Sequence, residues 1–388
     1  MGTRFNVENL LITKENADGN IAANPTVIKL CVNKFDLKEA PTFDEKGCLL
    51  SDGKVKIKSG AEYSGGVTID MDANSLPIIL THVLGDAILT EDATTTDWTS
   101  NTAMAVKDIV NHTGGIYSLT VVKITGAGLT GGTEPTPTSI GQKIVDGDVT
   151  WVVSPKLMKY TFEMKKSAPT LRVEYHLTDG VNSFYKQFKG VEISQFPLSI
   201  DGSTSVPELG LDFNTASSID SEEAGWIKDL LSETGVKLVE FPKDYYGGEC
   251  ELTKVKVNDI EVSDYDSASM TIDKQLKSTP RLNCNQIAER DLKVDGSLTK
   301  DFTIEDYNRF REQDTFSLEF NFQTLVGASC SVKFPLVEGT HIDPSFDVKD
   351  MVLISPEITA TDDATHKIVE AVCVAPQLMS GGVLLGAY

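Results

Sequence analysis

Residue types capable of chemistry are plentiful in this chain, but their spacing assembles no reaction centre. Gly126-Ala127-Gly128-Leu129-Thr130-Gly131 fits the G-x-G-x-x-G pattern of a dinucleotide loop and follows a strand-like run. Such a loop cradles a pyrophosphate only when a helix opens directly after it. Here Thr133-Glu134-Pro135-Thr136-Pro137 follows, and its prolines forbid that helix. The five histidines, His82, His112, His176, His341 and His366, have no H-x-x-x-H spacing and no nearby cysteine with which to hold zinc. Asp264-x-Asp266 offers oxygens to calcium but lacks the glycine and distal glutamate of an EF-hand loop, so a turn is expected there. No G-x-S-x-G occurs. Paired acids of the kind a glycosidase places in one cleft are too common in this chain to single out a site. Asn111-His112-Thr113 is a formal glycosylation sequon with no secretory signal beside it. The expectation is a protein with no catalytic residues, no cofactor and no metal.

Composition narrows the classes further. With 388 residues there is room for two or three domains, and 40% hydrophobic with 24% charged residues is ordinary for folded chains. The 35 basic and 57 acidic residues give a formal charge of −22, which repels nucleic-acid phosphates and argues against sequence reading. Cys31, Cys48, Cys250, Cys284, Cys330 and Cys373 are scattered, several within apolar strand patterns, so buried free thiols in a reducing compartment are expected. No apolar leader follows Met1, and the longest apolar run, Leu76 to Leu80, is broken by Pro77. Neither a signal peptide nor a membrane segment is expected.

The elements that must position these residues are strands. Leu171 to Leu177 alternates apolar odd and polar even positions, which places one face on a core and the other in water. Further strands are expected at Thr26–Val32, Val67–Met71, Val191–Ile200, Leu209–Phe213, Leu252–Val262, Asp291–Lys300, Phe316–Phe322, Val332–Val337 and Ile368–Val374. Lys34 to Tyr63, turning at Asp52-Gly53, reads as a long hairpin, and residues 1–25 as an extended arm. Each half carries one short helix. The first spans Asn74–Gly85, capped by Asp72 or Asn74, with Pro77 in its first turn and Gly85 at its end. The second spans Ile304–Arg311, with Tyr307, Phe310 and Ile304 on its core face. The fold class is therefore all-β, a β-sandwich or barrel with one short helix per half and the architecture duplicated. The expected units are 1–97 with 158–225, an inserted module at 98–157, a linker at 226–250, and 251–388. A duplicated chain without a catalytic constellation points to an assembly subunit.

Within the interruption, Gly132-Thr133-Glu134-Pro135 through Asp146-Gly147-Asp148-Val149-Thr150-Trp151 resembles a small β module of phage structural proteins. Its ends must lie close together and it should stand on the outer surface. Trp151 reads either as the core anchor of this module or as a platform for a sugar.

The flanking parts resemble the phage tail tube proteins. The residues that carry the likeness are Tyr63-Ser64-Gly65-Gly66-Val67-Thr68-Ile69-Asp70 running into Leu76 to Gly85, and Tyr160 to Met164 with Leu171 to Tyr175 and Tyr185 to Ile193. Val294 to Phe302, leading through Glu305-Asp306-Tyr307 to Phe316-Ser317-Leu318, completes it. The resemblance implies a virion tail protein assembled in the host cytoplasm: a subunit of stacked rings, meeting other tail proteins and enclosing a channel for double-stranded DNA. Two tube-like halves per chain imply a trimer with pseudo-sixfold symmetry, or else a hexamer of chains. Stacking would use the N-terminal arm and the 34–63 hairpin. An acidic wall would repel the DNA and keep it sliding, and Glu174, Glu192, Asp295 and Glu319, on polar strand faces, are the candidate lumen acids. The competing expectation is a carbohydrate- or receptor-binding tail fibre or decoration protein, in which Trp151 would contact the ligand.

Overall fold

Alternating apolar and polar residues dominate the chain, and they fold as strands almost throughout. A computed structural model describes residues 6–16, 19–22, 25–30, 32–47, 54–70, 75–92, 95–165, 168–178, 183–201, 208–219, 226–231, 237–240, 252–262, 265–280, 285–288, 292–324, 328–340, 353–363, 365–377, 379–380 and 383–384. In the first half, β1 (Asn6–Lys14), β2 (Thr26–Leu30) and β3 (Lys34–Phe35) precede a hairpin of β4 (Lys38–Gly47) and β5 (Lys54–Ser64). Then β6 (Gly66–Asp70) leads into α1 (Ser75–Leu84) and β7 (Ile88–Glu91). The inserted module holds β8 (Thr96–Asp97), β9 (Ile109–Asn111), β10 (Tyr117–Ile124), β11 (Lys143–Asp146) and β12 (Val149–Pro155). After it come β13 (Leu157–Glu163), β14 (Leu171–Thr178), β15 (Ser183–Asp201), β16 (Glu208–Asn214), β17 (Ser217–Ile219), the single turn α2 (Ile227–Leu230) and β18 (Lys237–Glu240).

The second half opens with β19 (Leu252–Val257), β20 (Ile260–Val262), β21 (Tyr265–Asp273) and the hairpin β22 (Lys277–Pro280) and β23 (Asn285–Ala288). It continues through β24 (Lys293–Asp301), α3 (Ile304–Glu312), β25 (Phe316–Gln323), β26 (Ser329–Gly339), β27 (Leu353–Ile354), β28 (Glu357–Ala360) and β29 (Glu370–Pro376), and closes on β30 (Met379–Ser380) and β31 (Val383–Leu384). The single strand expected over 252–262 is a hairpin instead. Asn258 and Asp259 take φ of 51° and 63°, a left-handed pair that folds the chain back on itself.

Both halves share one strand order. Pairings among the described residues run β2–β1–β14–β15–β16–β6–β3 in the first half. They run β20–β19–β25–β26–β28–β24–β21 in the second. In each half a hairpin precedes the strand that enters the helix. The long strands β15 and β26 each serve two layers, joining β14 or β25 at one end and β16 or β28 at the other. Between the layers lie Phe188, Phe196, Met270, Phe320 and Phe334, part of one apolar core that runs through both halves. Burying such a side chain contributes roughly 1.5–3 kcal/mol.

Among the described residues, two strand pairings join the halves. The far end of β15, Gln195–Asp201, runs antiparallel to Ser267–Asp273 of β21, and Leu157–Glu163 of β13 runs antiparallel to Glu370–Pro376 of β29. One sheet therefore crosses the molecule in the order β3–β6–β16–β15–β21–β24–β28–β26.

Several expectations are corrected by packing. Described residues of the expected linker are part of the first half: β18 pairs in parallel with β2, and Ile227 packs with Leu11 and Val27. This segment covers the outer face of β1 and β14, so the polar side of 171–177 is buried, contrary to the expected water-facing alternation. Cys330 and Cys373 stand opposite each other in register and form a disulfide rather than two free thiols. Cys31, Cys48, Cys250, Cys284 and the expected caps Asp72 and Asn74 lie outside the described residues. In α3, Thr303 caps by accepting from Asp306 N at 3.1 Å, and Phe310 is the buried anchor. Ile304, expected on the core face, occupies the first helical position and is 71% exposed.

Every residue of α1 is buried, the polar Ser75, Thr81 and His82 included. His82 is enclosed with it, its Nδ1 2.7 Å from Pro169 O. Burial drives its pKa down to about 3, and the Pro169 contact only partly opposes this. The ring is thus neutral in the folded state, whereas in the unfolded chain it takes a proton below about 6.5. Between those values the unfolded state binds more protons, so stability falls as pH drops through this window. The unfolding free energy from urea titration should decline from pH 6.5 to 5 more steeply for wild type than for His82→Gln, by up to about 1.4 kcal/mol per pH unit. Parallel declines would show that the ring is not held neutral.

Candidate functional site: an acidic sheet face shared by both halves

Period-2 alternation gives the sheet that crosses both halves one apolar and one polar side. Its inner side supplies Leu209, Leu211, Phe196, Leu198, Ala268, Met270, Val294 and Ile358 to the core. Its outer side follows from the register. One row runs Lys293, Asp273, Gln195 and Asp212. The next runs Glu338, Thr359, Asp295, Thr271 and Pro197. A third runs Glu357, Ser297, Ser269 and Ser199. On β16, Glu208 and Asp212 flank Gly210 on the exposed side.

The face is hydroxyl-rich and acidic. Among the described residues, Asp36, Glu208, Asp212, Asp273, Asp295, Asp301, Glu338 and Glu357 stand against Lys34, Lys293 and, beside Asp36, Lys38. Lys293 Nζ lies 2.5 Å from Asp295 Oδ2 and Lys34 Nζ 3.0 Å from Asp36 Oδ2. Gly66 N–H and then Lys34 hold the Asp36 carboxyl below the usual range. Short side chains close the remaining contacts, with Ser269 Oγ 3.0 Å from Ser297 Oγ, and Thr359 Oγ1 donating to Asp295 Oδ1 at 3.0 Å. Such a surface has fixed negative charge and little to grip an anion.

Of the four lumen acids expected from sequence, Asp295 lies on this face. Glu174 does not. It is fully buried, where Oε1 lies 2.7 Å from His176 Nε2 and accepts from Lys228 N, while Oε2 accepts from Gln187 Nε2 and Ile227 N. The segment 226–231 that covers it supplies two of those donors, so the acid serves as an internal latch. Glu319 occupies the opposite layer, with its side chain 12% exposed, and pairs with Lys256 at 3.3 Å. Burial raises its pKa, but the Ser331 hydroxyl and Lys256 outweigh this and hold it below the ordinary value. That face is mixed in charge, since Lys254 pairs with Glu261 and Lys333 with Asp259. Glu192 lies at the margin, half-buried in a groove of about 1030 Å³ shared with Lys14, Lys189 and Lys274.

Trp151 is fully buried at the centre of the inserted module among Val110, Leu119, Val121 and Val149. Its Nε1 and that of Trp98 both donate to Asp146 Oδ2 at 3.0 Å, and Gly131 N donates to Oδ1 at 2.8 Å. The Gly126–Gly131 stretch is the loop against this turn. It contains no helix. Among the described residues no three His, Cys, Asp or Glu side chains converge on a metal position, and no helix is long and apolar enough to cross a membrane.

Sequence reasoning missed Glu208, Asp212, Asp273, Asp301, Glu338 and Glu357. Their signal was present as acids at alternate positions of short strands, but only pairing between distant strands shows that they share one side.

Removing the buried latch should be costly. Glu174→Ala leaves four donors without their acceptor and should lower unfolding stability by about 3 kcal/mol in urea titration. A change below about 0.5 kcal/mol, the range of ordinary surface substitutions, would contradict the latch. Comparison of the sequence with protein-family models and with curated proteins finds no match.

Proposed function

We propose that this chain is the subunit of a phage tail tube, and that copies of it form stacked rings around a channel for double-stranded DNA. The observation that carries this reading is the acidic, hydroxyl-lined face running without interruption across two halves of the same strand order. Duplex DNA carries one negative charge per roughly 1.7 Å, so a passage that must not stall it needs anionic, shallow walls. Asp273, Asp295, Glu357 and the serine and threonine rows between them have that character.

Edge strands support the same reading. The two halves are already joined edge to edge within the chain, and β3 and β20 end their sheets among the described pairings. Open edges call for partners, and a further copy supplies them by repeating the junction. Three chains with two halves each give a pseudo-sixfold ring; six chains are the other stoichiometry. The β4–β5 hairpin, which forms a separate two-stranded sheet, is suited to contacts between stacked rings. The burial of Trp151 removes the one residue that favoured a carbohydrate-binding reading.

Negative-stain images of the purified protein should show rings or tubes. A protein that remains monomeric at high concentration would sink the proposal. The channel face is tested by charge reversal. Wild type should leave a DNA duplex unbound at 50 mM salt, whereas Asp273→Lys with Asp295→Lys should bind it with an affinity that falls on raising the salt about fourfold.

A further inference from the structure

A charged side chain of the second half reaches into the core of the first. Lys274 directly follows β21, and its backbone N–H donates to Ser194 O of β15 at 3.0 Å. Its side chain turns toward α1, where Nζ donates to His82 O at 3.0 Å, and the residue is 5% exposed. His82 belongs to the last turn of α1, whose carbonyls have no donor within the helix. The negative end of the helix dipole faces the ammonium there. Two cations of the first half complete the arrangement: Lys165 Nζ donates to Asp86 O at 2.7 Å, and Lys14 Nζ lies 2.5 Å from Asp86 Oδ1.

This contact bears on the geometry between the halves. The β15–β21 and β13–β29 pairings and a common core join the halves and fix which residues meet, but paired strands tolerate a range of mutual twist of roughly 10–35°. A closed ring tolerates far less. α1 packs against β13 and β15 and so moves with the first half. The bond from Lys274 to the end of α1 adds a contact to the first half that is separate from the strand pairing, and a second point of attachment constrains twist.

We propose that Lys274 is a positioning residue that sets the angle between the two halves and thereby the number of copies that close a ring. This rests on the tube reading, and the experiment separates the two. Purified wild type, Lys274→Met and Lys274→Arg are compared by circular dichroism, urea unfolding, mass photometry and negative-stain class averages. Absence of rings in wild type counts against the tube itself. Given wild-type rings, Lys274→Met should fold yet spread over several copy numbers or open arcs, with the share of wild-type diameter falling about threefold or more. Lys274→Arg should restore it. Folded Lys274→Met that gives rings of wild-type diameter in unchanged proportion overturns the proposal. Should Lys274→Met not fold, Lys274→Gln is read in the same way. Failure of both to fold would assign Lys274 to stability rather than to angle, which also overturns it.

Discussion

Backbone hydrogen bonding at sheet edges is the constraint from which the rest of this structure follows. Each half is a small sandwich with open edges, and an open edge leaves donors and acceptors that must find partners. The chain meets that need internally by extending β15 beyond its own half until Gln195–Asp201 lies on β21. β13, which follows the inserted module, does the same in the other layer by adding to β29. The result is one continuous sheet whose polar side belongs to neither half alone. The proposed ring extends the same solution to neighbouring copies.

Charge is distributed unevenly over this scaffold. Acids crowd the polar side of the shared sheet, where lysines are few and Lys34 and Lys293 are paired with acids. On the opposite layer of the second half, Lys254, Lys256 and Lys333 alternate with Glu261, Glu319 and Asp259 and nearly cancel them. The inserted module, from β8 through β12, has three basic residues, Lys107, Lys123 and Lys143, and five acidic ones, Asp97, Asp108, Glu134, Asp146 and Asp148. Nearly all of the net charge of −22 therefore lies outside the module. An unpaired acid on a sheet face costs little in water, but a field built from many of them repels a polyanion over the Debye length of about 8 Å.

Buried polar groups mark the places where this chain departs from a plain sandwich. Glu174 holds the 226–231 segment, Glu15 holds Arg172 at 2.6 Å, and Asp146 holds two indoles. Each is a carboxylate with its hydrogen bonds provided by the backbone or by planar donors, which is the condition for burying such a group. None of the three faces the acidic surface. Their role is to fix segments with too few apolar residues to hold themselves.

Periodicity in the sequence was enough to establish an all-β chain with short helices at α1 and α3, because alternation and helical spacing are local properties. It also placed Asp295 on a polar strand face. It could not distinguish Asp295 from Glu174, since the two occupy equivalent polar positions in alternating strands. Only the tertiary structure decides that a segment fifty residues downstream covers one of them and leaves the other open. The same holds for the acids of β16, β21, β26 and β28: each is visible in its own strand, but their common face exists only through pairings between residues far apart in the chain. Strand register and what lies over a sheet are set by long-range packing, and a sequence read one window at a time does not contain them.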